Sequence, residues 1–186
     1  DINKLNALSV QLNAYCQHQG KILALFWVIK NKDSFFLSFP SDLLESIKSR
    51  LQMFIIMSDV TIEDSTEKYI QVGSIYETHQ KALAINDKLS LIITDKKDIN
   101  KFNMDPIEHW NMACIDSFLP EIFAVTSEKL VPQMLNLDIN EFGVNFSKGC
   151  YPGQEVVARL HYLGSAKRRL FAFELDSDAT VGDALY

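Results

Sequence analysis

Cysteine is scarce in this sequence: Cys16, Cys114 and Cys150 are the only three in 186 residues. Their number is odd, their spacings are wide and no C-x-x-C pair occurs. Neither a zinc ribbon nor a self-contained iron–sulfur site is supported. Such usage fits a reducing compartment, and the cytoplasm is the expected location. Long apolar runs are also missing. None approaches the ~18 residues that span a bilayer, so no membrane segment is expected. Positive charge is in deficit, with 18 Lys and Arg against 24 Asp and Glu and a net charge of −6. A wide nucleic-acid footprint needs a basic face, so direct nucleic-acid binding is not expected. The four histidines, His18, His79, His109 and His161, show no paired metal spacing, and no metal is expected. The chain has no internal repeat and begins at Asp1 rather than Met, so an N-terminal segment is expected to be missing.

What is present suits a globular fold. A hydrophobic share of 47% beside a charged share of 23% is ordinary for one or two small domains. Val10 to Gln17 and Ile22 to Lys30 read as strands around a short turn in which Gly20 supplies the permissive backbone. Ser34 to Phe39 reads as a third, antiparallel strand. A helix then opens with Ser41 as N-cap and Asp42 and Glu45 in its first turn, and runs with Leu43, Ile47, Leu51 and Phe54 on one face. Strands are expected at Met57 to Glu63, Tyr69 to Gly73 and Leu89 to Thr94, with a short helix over Ile75 to Ile85. That order from 34 to 95 is the order of a ferredoxin-like split βαβ unit, and it predicts an α+β class. Pro106 begins a helix over Ile107 to Ile115. Phe142 to Phe146 and Leu170 to Leu175 read as strands, and Thr180 to Tyr186 as the start of something longer.

Rare residue types crowd together in one stretch, Lys148-Gly149-Cys150-Tyr151-Pro152-Gly153-Gln154-Glu155, continuing Val156-Val157-Ala158-Arg159. Two glycines and a proline fix a turn, and Pro152 suits the first turn of a helix. Val156, Leu160 and Leu163 then form one apolar helical face. Glu155 and Arg159 are an i, i+4 pair on the other side. Gln154 and Glu155 suit the helix dipole. Cys150 stands just before the helix start and two residues after Lys148. Both neighbours favour thiolate over thiol, so a depressed pKa is expected unless the sulfur is buried among apolar groups. The alternative is a small buried cysteine in a strand–turn–helix junction.

This run closely resembles the signature of the YgfZ family of folate-binding proteins, relatives of the aminomethyltransferase (T-protein) of the glycine cleavage system. Weaker resemblance covers Gln17 to Val28, the Trp110 region through Pro120, and Val131 to Leu137. The resemblance implies a T-protein-like fold with tetrahydrofolate as ligand. It implies a role in iron–sulfur cluster assembly or repair and, through iron–sulfur enzymes, in tRNA modification. It places Trp110 against folate; without it, Trp110 reads as a core residue of its helix. It makes Cys150, with Lys148, the candidate functional thiol, within a motif that includes Gly149, Tyr151, Gly153, Gln154 and Glu155. The expected domains are a folate-binding unit of 1–37 plus 105–165, a ferredoxin-like insertion over 38–104, and the start of a truncated C-terminal barrel over 166–186.

The T-protein relatives carry an acidic pair, including the catalytic Asp, on the strand after the glycine turn. Here Ala24 and Leu25 align there, and neither can transfer a proton. The expected function is therefore a non-catalytic folate-binding accessory protein. The alternatives are a folate-dependent aminomethyl or one-carbon transferase and a thiol redox protein acting through Cys150. His161 is the imaginable base for a Cys150 nucleophile. Lys167-Arg168-Arg169 reads either as a grip for the folate glutamate tail or an RNA phosphate, or as a solvated turn.

Overall fold

The computed structural model describes residues 2, 5–6, 9–76, 79–139, 143–164 and 166–179. Its first sheet is a meander of β1 (Val10–Cys16), β2 (Ile22–Asn31) and β3 (Ser34–Ser38), all antiparallel. The central strand β2 is a nearly continuous apolar run, and Ile22, Leu23, Ala24, Leu25, Phe26, Val28 and Ile29 are all buried. A strand buried on both faces reads as such a run rather than as an alternation. Leu43 and Ile47 pack onto it from helix α1 (Leu44–Gln52) and the turn before it. Ile122, Leu135, Leu137, Val144 and Val157 pack onto it from the C-terminal half.

β3 pairs only with residues 27–31 of β2. The start of β2 is covered instead by 127–130: Ile22 N–H donates to the Leu130 carbonyl at 2.8 Å, and Glu128 N–H donates to the Ile22 carbonyl at 2.8 Å. The Ser127 hydroxyl donates to the Leu23 carbonyl at 2.8 Å. The irregular C-terminal half is thereby stitched to the hairpin, and its buried backbone groups find partners.

A second antiparallel sheet has the order β4 (Tyr69–Ile75), β6 (Leu89–Asp95), β5 (Leu83–Ala84). Val72, Leu89, Leu91 and Ile92 are its buried side chains. The helix α2 (Ile107–Asp116) docks on β4. Phe36 meets Tyr69 edge-on at 5.0 Å between ring centres, and the Ser38 hydroxyl donates to the Gln71 amide oxygen, so the two sheets touch. The last helix, α3 (Gln154–Leu163), follows the signature.

The α+β class stands, but several expected elements do not. Residues 57–63 form no strand; Ile56 is 83% and Met57 96% exposed. Among the described residues this run pairs with neither sheet, and a segment without a partner strand gains nothing by extending. The helix expected over 75–85 is absent from its described residues. Ile75 ends β4, and Leu83–Ala84 pairs with β6. The cause is local: the Asn86 side-chain oxygen accepts from the Lys88 and Leu89 N–H groups, both at 2.8 Å, and turns the chain back into a hairpin. The split βαβ order is therefore not what 34–95 forms. Ser41 does not cap α1 through its side chain. Asp42 accepts from Ala124 N–H at 2.8 Å instead, which ties the helix entry to a distant loop. Residues 143–146 and 170–175 are not strands, while Phe142 and 180–186 lie outside the described residues.

The signature helix is also shifted. Gly153, at φ +82°, is its N-cap, and Pro152 lies one residue before it. The helix starts later than expected and turns a different face inward. Val157 is buried, whereas Val156 and Leu163 are exposed.

Candidate functional site

The hairpin and the signature share a cavity. Its volume is about 210 Å³. Asn13, Ala14, Tyr15 and Cys16 of β1 form one wall, and Lys148, Tyr151 and Pro152 form another, with Val144 and Asn145 between them. The loop leading to the signature is shaped by Asn145, whose side-chain oxygen accepts from Ser147 N–H at 2.8 Å and Lys148 N–H at 2.9 Å. Such a turn is what an Asn side chain does when no helix or sheet claims the backbone. Gln154 reaches back to accept from Tyr151 N–H at 3.3 Å.

Lys148 places its ammonium 4.6 Å from the centre of the Tyr151 ring, within cation–π range. It also favours the thiolate of Cys16, but burial dominates and pushes that thiol up to about 12. Burial, and then the charge of Cys16, raise the Tyr151 phenol above its usual value. The cavity wall thus offers two aromatic residues, Tyr15 and Tyr151, two side-chain amides and one ammonium, but no thiolate at neutral pH from Cys16.

Cys150 is exposed and does not line this cavity, although its neighbour Tyr151 does. All three cysteines are free thiols. Gly149 and Glu155 are exposed as well. Trp110 lies elsewhere: its half-buried indole presses on Gly73 of β4, where an added Cβ would come within 2.4 Å of the ring. It lines neither this cavity nor a smaller one of about 110 Å³ beside Trp27, Gln71 and Glu121. The structure brings Lys148, Tyr151 and the hairpin together and leaves Trp110 outside that group.

Ala24 and Leu25 are buried at 0% and 3% exposure. They pair across the hairpin with Tyr15 and Ala14, two cavity-wall residues. His161 is stacked on Phe146 at 3.9 Å between ring centres, and no hydrogen bond joins it to Cys150 among the described residues. Of the basic run, Arg169 is already engaged. Its guanidinium grips both Asp138 carboxylate oxygens and donates to the Gln133 carbonyl at 2.8 Å. The Asp138 hydrogen bond raises its already high pKa further. Neither Asp138 nor the β1 wall was marked by any sequence motif; only the tertiary pairing of distant segments reveals them.

Among the described residues no group of three or more His, Cys, Asp or Glu side chains is placed to hold a metal ion, and no helix is long and apolar enough to cross a membrane.

No family model matches the chain. It is 32% identical to an uncharacterized protein of Haemophilus influenzae, over all of this chain and 68% of that one. It is 31% identical to the tRNA-modifying protein YgfZ of Colwellia psychrerythraea, over 92% of this chain and 62% of the relative. A YgfZ protein of Aliivibrio fischeri is 28% identical over the whole chain and 66% of its own length. The chain thus spans about two thirds of the length of these relatives. The first and third of these similarities cover the whole chain, hairpin and signature included, and the chain belongs to the YgfZ family.

Proposed function

We propose that this chain belongs to a tetrahydrofolate-binding accessory protein that supports the assembly or repair of iron–sulfur enzymes, and through them tRNA modification, without turning over a one-carbon unit itself. Its relatives are named for tRNA modification. A net charge of −6 and the engagement of Arg169 argue for an indirect part in that process rather than a grip on tRNA.

The observation that carries the reading is the burial of Ala24 and Leu25 beside the cavity wall. The T-protein relatives need an acid there. Proton transfer requires a titratable group within hydrogen-bond reach, and two buried apolar side chains supply none. The cavity of about 210 Å³ is below the roughly 300–1,000 Å³ usual for a whole drug-sized ligand. It therefore takes one end of folate, with the ring edge met by Asn13 or Asn145 and a ring face or carbonyl by Tyr151 and Lys148. Trp110 belongs to the proposal through the family resemblance alone. A T-protein-like architecture is part of the same proposal, with 1–37 and 105–165 holding the ligand, 38–104 inserted and 166–186 leading into a further barrel.

A second reading, a thiol redox protein, is favoured by one observation: Cys150 is exposed while Cys16 and Cys114 are pushed up by burial, to about 12 and about 11. Two assays on the full protein separate the readings. Given tetrahydrofolate and a glycine-derived aminomethyl donor, no methylene-tetrahydrofolate should form above the uncatalysed rate; sustained turnover would restore the transferase. Rapid thiol–disulfide exchange at Cys150 in a protein indifferent to folate would favour the redox reading.

A further inference from the structure

The two signature glycines meet very different surroundings. Gly149 lies in open space, and a Cβ built on it has nothing within 4 Å. A Cβ on Gly153 would fall 2.5 Å from the Gln17 carbonyl oxygen and 2.8 Å from the Gly20 Cα. These are backbone atoms. The Gln17 oxygen is already fixed as acceptor of the Gly20 N–H at 2.9 Å, so it cannot swing away as a side-chain tip would. Gly20 is left-handed too, at φ +77°, and its own Cβ would meet the Val156 Cβ at 3.0 Å. Each turn fills the space that the other's side chain would need.

This contact lies where the two cavity walls end. β1 contributes Tyr15 and Cys16 and runs directly into the turn at Gln17 to Gly20. The opposite wall contributes Lys148, Tyr151 and Pro152 and runs directly into Gly153. A third segment fastens the joint, because the buried Gln133 amide donates to the Val157 carbonyl at 2.7 Å.

We propose that Gly153, seated on Gly20, is the positioning residue that holds the signature loop against β1 and so closes the loop over Cys16, whereas Gly149 positions nothing. Its functional meaning rests on the ligand-site reading above, but its test uses no ligand. A Cβ at residue 153 lifts the loop, widens the cavity and uncovers Cys16. Asparagine discriminates two roles for the glycine, since it tolerates a left-handed backbone yet still carries the Cβ. If only the backbone conformation matters, Gly153→Asn behaves as wild type. If close approach matters, it behaves as Gly153→Ala.

The test is native-state alkylation of the full chain with iodoacetamide, read residue by residue by mass spectrometry beside a thermal melt. Cys16 should react slowly in the wild type and in Gly149→Ala. It should react about tenfold faster or more in both Gly153→Ala and Gly153→Asn, through local opening without global unfolding. Gly20→Ala should fall between them, because its methyl meets the Val156 Cβ at 3.0 Å, a milder clash than the 2.5 Å approach to backbone at Gly153, on a backbone that is left-handed too. Cys16 protection as in the wild type in both Gly153 variants overturns the proposal. So does protection restored by Gly153→Asn alone. Loss of the cooperative transition in the Gly153 variants with full protection in Gly20→Ala also overturns it, by assigning Gly153 to the fold. A variant with Cys16 uncovered and folate affinity unchanged would keep this inference and remove the cavity from the folate proposal.

Discussion

Cys16 and Cys150 carry the same thiol in opposite surroundings. Cys16 is buried at the end of β1 and held protonated up to about 12 despite Lys148 nearby. Cys150 is exposed in the loop between Lys148 and Tyr151. Iodoacetamide at neutral pH should therefore label Cys150 well before Cys16, because access and thiolate fraction set the rate. Comparable labelling of the two in the folded protein would contradict the placement. If Cys150 is the functional thiol that the signature resemblance implies, Cys150→Ser should abolish function in cells; because its side chain fills no core space, it should move Tm by no more than about 2–4 °C, the shift of roughly 1 kcal/mol at this size. Unfolding of that variant would make Cys150 a packing residue. Trp110→Ala tests the folate assignment and should weaken tetrahydrofolate binding by about 1–3 kcal/mol, the range for a lost aromatic stack. Unchanged affinity would restrict Trp110 to its contact with Gly73.

Among the elements, the meander at 10–38 was legible because its signals agree: apolar strands, a Gly20 turn and a polar Lys32-Asp33 turn. α2 and β6 were legible within a residue or two for the same reason. The helix expected over 75–85 gives way to a hairpin that Asn86 closes, a turn whose strength lies in one side chain rather than in periodicity. The strand at 57–63 failed because β propensity needs a partner edge. In the site, rare residues exposed the signature, and Lys148 and Tyr151 do line the cavity. Its other wall, Asn13 to Cys16, was illegible since nothing in a strand pattern says which distant loop will cover it. The same holds for the pair that fastens 169 to 138. Asp138 has only 8% of its side chain exposed and Arg169 29%. Arg169→Ala should lower stability by about 1–3 kcal/mol in denaturant titration, since it leaves a shielded carboxylate without its partner. A change below about 0.5 kcal/mol would place the pair among ordinary surface contacts.

At the scale of the whole molecule, the first sheet and a long irregular C-terminal half pack around one buried strand, β2, and the second sheet touches the first through β3. Their stability should be sensitive to alkali. Cys16 goes from 9.0 to about 12 and Cys114 from 9.0 to about 11 on folding, and Tyr151 is also raised. Above about pH 9 the unfolded chain loses thiol protons that the folded chain retains. The unfolded state then binds fewer protons, so stability is full below that pH and falls as pH rises toward the folded values, by up to about 1.4 kcal/mol per pH unit for each thiol. Denaturant midpoints that stay level from pH 8 to 11 would contradict the burial of Cys16. The proposed function is also a property of the whole, because the cavity lies where β1 meets a signature far along the chain. The most direct test of that function is a calorimetric titration of tetrahydrofolate into the full-length protein, with and without Lys148→Ala. One saturable site is expected in the wild type and clearly weaker binding in the variant. Heat no greater than dilution in the wild type would contradict the proposed function.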